Sequence, residues 1–143
     1  MIVHLSKQFE NGLMNTLEFR DFPYFDDVQV DMLADFIASV RADNLLVGKN
    51  KTSWQDNQGN IIPETVLYQQ HNAWHYHSGE YAESEPECYT YNLEWNIKGL
   101  KSSAVIHYQK ITAQEILLLA YSPKHIPFPK MLDPNNPLST RFS

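Results

Sequence analysis

Apolar and polar positions change period along the chain, and each change marks an element. Met1–Leu5 alternates weakly and predicts a short first strand, with Ser6 behind it as a helix N-cap. Phe9, Leu13 and Leu17 then recur every four residues, which predicts a helix over 7–19. Asp21-Phe22-Pro23 ends it, because proline disfavours helical geometry in the residue before it. Val28, Met32, Phe36 and Val40, widened by Leu33 and Ile37, give the stripe of a second helix. Asp26 and Asp27 at its start and Arg41 in its last turn complement its dipole. Residues 43–63 read as a long polar loop carrying Lys49, Lys51, Ser53 and Trp54, and loops of that length are often functional.

Period two returns afterwards. Glu64–Gln69 predicts a strand that turns near 70–72 into a second one at Trp74–His77, a hairpin that Gly79 closes. Glu80–Lys101 is polar and rich in glutamate and reads as a loop or an edge ribbon. Ser103–Ile111 predicts a strand with Ala104, Ile106 and Tyr108 on one face and Val105, His107 and Gln109 on the other. The unbroken apolar run from Ile116 to Tyr121 predicts a central strand buried on both faces. Prolines from Pro123 onward exclude helix and long strand, yet Ile126, Phe128, Met131, Leu138 and Phe142 predict a tail packed on the domain. This order predicts an α+β fold, N-terminal helices on a curved antiparallel β-sheet, and 143 residues fit one domain, 1–143.

Charge refines the picture. The net charge is −6, but residues 1–48 and 80–94 hold the excess acid while residues 95–143 are net basic. The balance argues against a general nucleic-acid coat protein and leaves room for a local anion site. The acidic front of the second helix (Asp26, Asp27, Asp31, Asp35) is a solvated face or a surface for a basic partner. A single Cys88 excludes an internal disulfide and a cysteine zinc cluster. No run is apolar enough for a signal peptide or a bilayer span, so the expected location is cytoplasmic with no membrane partner.

The chemistry concentrates in His71-Asn72-Ala73-Trp74-His75-Tyr76-His77. On a strand, Trp74 and Tyr76 take one face and His75 and His77 the other, where a neighbouring strand can add His107. Grouped imidazoles serve as general base and general acid in RNA cleavage, where the 2′-hydroxyl loses a proton and the 5′-oxygen gains one. Lys49, Lys51, Lys110, Lys124 and Arg141 are candidate phosphate contacts, and tyrosines such as Tyr108 can stack on bases. The His-x-x-x-His-x-His spacing is also a usable zinc set, but His71 lies roughly 13 Å along a strand from His75. No metal or cofactor is assigned. Glycine-rich phosphate loops, nucleophile elbows and His-Glu-x-x-His are absent, so kinase, hydride-transfer and serine-hydrolase readings lack support.

Trp74-His75-Tyr76-His77-Ser78-Gly79 resembles the Trp-His-x-His strand of YafO-type toxins, members of the RelE-like superfamily of toxin–antitoxin ribonucleases. Ser103–Tyr108 followed by Glu115–Tyr121 is similar to that family's terminal hairpin, and Pro123-Lys124-His125 and Leu138–Phe142 resemble its C-terminus. The start Ile2–Lys7 and the two helices fit its N-terminal half. The resemblance implies a RelE-like, microbial-ribonuclease-like α+β fold and metal-independent endoribonuclease activity on RNA, on the ribosome in many members. It also implies a cognate antitoxin that masks the site. Carried over by position, it implies His75 and His77, then His107, as catalytic residues, with His125 and Arg141 beside the RNA. Two alternatives stand beside it: a non-enzymatic immunity- or antitoxin-like module that uses its acidic helix, and a zinc-dependent hydrolase.

Overall fold

The computed structural model describes residues 1–124 and 133–143. Among the described residues five strands form one sheet in the order β1-β5-β4-β3-β2, and three helices complete an α+β fold. β1 (Ile2–Leu5) runs parallel to β5 (Glu115–Ser122), and every other neighbouring pair is antiparallel. β4 (Ser102–Thr112) and β5 form the predicted hairpin, and β5 lies inside the sheet as its unbroken apolar run requires. Among the described residues no helix is long and apolar enough to cross a membrane.

The N-terminal half departs from its periodicity. α1 covers only Lys7–Asn11, not 7–19. Ser6 caps it as expected, its hydroxyl accepting from Phe9 N at 3.1 Å. The helix stops at Gly12 because Asp21 folds back against its end; a Cβ at Gly12 would lie 2.0 Å from the Asp21 carboxylate. Leu13 and Leu17, which made the stripe look long, are 85% and 75% exposed. A Thr16 side-chain turn then carries the chain to the buried Phe19. α2 (Asp27–Arg41) matches its prediction and starts with a full capping box between Asp26 and Gln29. Its buried line is Leu33, Phe36 and Val40, while Val28 faces solvent.

The middle of the chain differs more. The predicted strand at 64–69 is a short helix, α3 (Val66–Gln70), whose Tyr68 is fully buried. The partner of β3 (Ala73–Tyr81) comes instead from inside the supposed loop: β2 (Asn50–Thr52) pairs Asn50 with Tyr76 and Lys51 with His75. β3 also runs through Gly79, with a register shift between His77 and Gly79, where a terminus was expected. Residues 82–101 lie along the β2 side through single bridges, Leu46 to Thr90, Gly48 to Leu100 and Asn50 to Asn96.

The sheet has two differently used faces. One packs on α1 and α2 through Phe9, Leu33, Phe36, Tyr76, Ile106, Tyr108, Leu118 and Tyr121. A second cluster is built from Phe19, Tyr68, Leu119, Ala120 and Leu138, with Phe142 against it. So the part of the tail at 133–143 packs on the domain as its apolar residues predicted, whereas Ile126, Phe128 and Met131 lie outside the described residues. Arg141 anchors this end: its guanidinium meets Asp21 at 2.7 and 3.0 Å and donates to Leu119 O at 3.0 Å. Both side chains are almost wholly buried, 7% and 2% exposed. Removing one partner of such a pair strands the other charge. Asp21→Ala is therefore expected to cost about 3–5 kcal/mol of unfolding free energy. Urea denaturation checks it, and a loss below about 1 kcal/mol would refute the anchoring role.

Candidate functional site

The ladder between β2, β3 and β4 builds the site. Lys51 lies opposite His75, and His75 lies opposite His107, so one transverse row crosses three strands. Two residues along, His77 donates its backbone N–H to Lys49 O at 2.9 Å, which places Lys49 beside it. Strand alternation puts these five side chains on the face away from α2 and leaves Asn50, Tyr76 and Tyr108 on the other. The His75 and His77 rings are 5.9 Å apart.

The row is buried rather than an open surface. Lys49, Lys51, His75, His77 and His107 are 4–7% exposed. Hydroxyls and backbone groups orient the rings. His75 Nδ1 meets Ser53 Oγ at 3.1 Å, and His107 Nε2 meets Ser122 Oγ at 2.8 Å. His77 Nδ1 lies 2.9 Å from Ser102 O and 3.1 Å from Ser102 N. Phe19 covers His107, ring to ring at 5.7 Å. The lysines end on a shared acceptor: Lys49 Nζ and Lys51 Nζ donate to the same Asn57 Oδ1, at 2.9 and 3.0 Å. Both lysines are buried, and their Nζ atoms meet an exposed side chain, Asn57.

Electrostatics follow from this crowding. Burial first, then His107, His77, Lys51 and Lys49, hold His75 well below the usual imidazole range. Burial, then His77, pushes His107 down to about 3. Burial, then Lys51 and Lys101, lowers Lys49 to about 8. Lys51 is lowered by burial too, against a pull from Asp56. At neutral pH His75 and His107 are therefore neutral bases, and the lysines carry the charge.

Several predicted contacts sit elsewhere. Tyr108 is fully buried on the helix face, its hydroxyl donating to Asn50 Oδ1 at 2.7 Å, so it is no surface for a base; alternation with His107 dictates this. Arg141 is committed to Asp21 and is not a phosphate contact. Lys110 lies on the helix face, 3.5 Å over the Trp74 ring. His71 caps the end of α3 and stacks on Phe142 at 4.5 Å, which removes it from any set with His75 and His77. Among the described residues no three His, Cys, Asp or Glu side chains converge as metal ligands. His125 lies outside the described residues. Conversely Asn57, Ser102 and Ser122 were missed, and the role of Ser53 with them. The Asp56-Asn57-Gln58-Gly59 turn signal and the Lys49-Asn50-Lys51 alternation were the available clues. A cleft of about 490 Å³ lined by Gln29, Met32, Ser78, Ser103 and Tyr121 opens at the start of α2, apart from the row.

No family model, curated protein or solved structure matches the chain.

The neutral imidazoles give the fold a signed pH dependence. Below about pH 6.5 the unfolded chain takes up protons that folded His75 and His107 refuse. Stability is thus full above pH 6.5 and falls as pH drops toward the folded values, by about 1.4 kcal/mol per pH unit for each histidine. Urea midpoints between pH 7.5 and pH 5 measure it in that window, about where carboxylates have yet to titrate. His107→Gln should lower the slope by one proton; an unchanged slope would contradict the assignment.

Proposed function

We propose that the chain is an endoribonuclease of the toxin type, cutting RNA by metal-independent acid–base chemistry. The Lys51–His75–His107 row, flanked by Lys49 and His77, carries this reading. It places neutral imidazoles beside two ammonium groups, which is what transfer at a phosphodiester needs. His75 is the general base: its ring is oriented through Nδ1 by Ser53 and is held neutral at physiological pH. It takes the proton of a ribose 2′-hydroxyl, whose oxygen attacks the neighbouring phosphorus as the bond to the 5′-oxygen breaks. Lys51 neutralises charge on the phosphoryl oxygens. Lys49, lowered to about 8, is protonated at neutral pH yet acidic enough to protonate the leaving 5′-oxygen. The products are a 2′,3′-cyclic phosphate and a 5′-hydroxyl. His77 and His107 share the face of His75, His107 directly opposite it and the His77 ring 5.9 Å away, and rank as further proton carriers.

In the same reading the RNA is messenger RNA on the ribosome, the working location is the cytoplasm, and the cognate partner is an antitoxin that masks the row. A binding module for a basic partner is the second reading, supported by the exposed Asp27, Asp31 and Asp35 of α2. Toxicity on expression without a partner separates the two.

In excess EDTA, wild type should cut total RNA or messenger RNA on translating ribosomes. His75→Ala should be slowed about 100-fold or more, and His77→Ala should also be slower while remaining folded. Failure of folded wild type to cut in either setting would overturn the reading, as would full activity in His75→Ala.

A further inference from the structure

Asn57 stands at the one place where both lysines point. Residues 54–62 form a narrow ribbon, closed by Ile62 N to Trp54 O and Asp56 N to Asn60 O, each 2.9 Å, and by Gly59 N to Asp56 O at 3.0 Å. The Asp56 carboxylate is engaged inside the turn, accepting from Gln58 N and Asn60 N at 2.9 Å. The ribbon thus presents one neutral amide oxygen to two ammonium groups. A neutral acceptor satisfies hydrogen-bond geometry but does not cancel two positive charges brought together. Burial lowers the Lys49 pKa first, and the nearby Lys51 charge lowers it further.

We infer that Asn57 Oδ1 occupies the seat of a phosphate oxygen, and that a phosphate group binds the site by displacing Asn57 from Lys49 and Lys51. This deepens the ribonuclease reading and rests on it for the row's purpose, but the anion seat is testable without cleavage. Three observations support it. Both donors converge on one oxygen at ordinary hydrogen-bond distances. The lysine stems are buried, so the donors are pre-positioned and lose little freedom on binding. The occupying side chain is exposed at a ribbon tip and can leave without unpacking a core. An anionic oxygen is the stronger acceptor and adds to the partial compensation that Asp56 gives Lys51.

The test uses inorganic phosphate and, separately, a non-cleavable deoxydinucleotide, each titrated into full-length protein by NMR or calorimetry. Asn57→Ala removes the internal competitor and should tighten phosphate binding about fivefold. Asn57→Asp places a carboxylate between the ammonium groups and should weaken it about tenfold or more, with the melting temperature unchanged or higher. Lys51→Met should weaken both probes. Dinucleotide binding tighter than free phosphate assigns the seat to a nucleic-acid phosphodiester, whereas the reverse order assigns it to a free phosphate. Equal affinity in wild type, Asn57→Ala and Asn57→Asp would overturn the inference, even if RNA is cut. The predicted order of affinities without any RNA cleavage would uphold the seat and sink the ribonuclease reading.

Discussion

The arrangement depends on how Asn50 is held. It is fully buried, its Nδ2 donates to Leu93 O and Glu94 O at 2.9 and 3.0 Å, and its Oδ1 accepts from Tyr108. Its backbone pairs with Asn96 at 3.0 and 2.7 Å. A three-residue strand has little register information of its own. Here register is set by a side chain whose polar atoms are satisfied only in one position. With Asn50 pinned to the helix face, Lys49 and Lys51 have to project from the other. A slip of one residue would bury both ammonium groups under α2 and turn Asn50 toward the imidazoles.

That placement is costly in stability. Lysine stems and imidazoles occupy positions where aliphatic side chains would bury area without desolvating polar groups. The cost appears as lowered affinity for protons at His75, His107, Lys49 and Lys51 together. Burial is the first cause at all four, and such shifted groups gathered on one face mark a candidate functional site. Ser53, Ser102 and Ser122 orient the rings while adding no charge of their own.

Much of this was legible in the alternation of β3 and β4, because period two is a local property and both strands are long. The separation of Trp74 and Tyr76 from His75 and His77 and the union with His107 follow from it, while the unbroken apolar run of β5 places that strand inside the sheet. The same rule already set Tyr108 against His107, so its expected RNA contact conflicted with the pattern. What failed depended on distant partners. α1 ends early because Asp21, nine residues past Gly12, needs the space. α3 replaces a strand because Asn72, at positive φ, turns the chain directly after it, and β3 finds its mate in β2 instead. β2 was hidden because three polar residues carry no hydrophobic period, and its burial is polar throughout.

Arg141 and the two lysines are held in contrasting ways. By sequence all three were equivalent phosphate contacts. Arg141 is matched by a carboxylate in a two-point contact at almost complete burial, so its charge is spent inside the fold. Lys49 and Lys51 are also buried along their stems, but the acceptor they share is an amide, and the carboxylate that acts on Lys51 is turned into its own loop. A neutral acceptor leaves Asp56 as the carboxylate that acts on Lys51, and the proposed anion would add the charge that Asn57 does not supply.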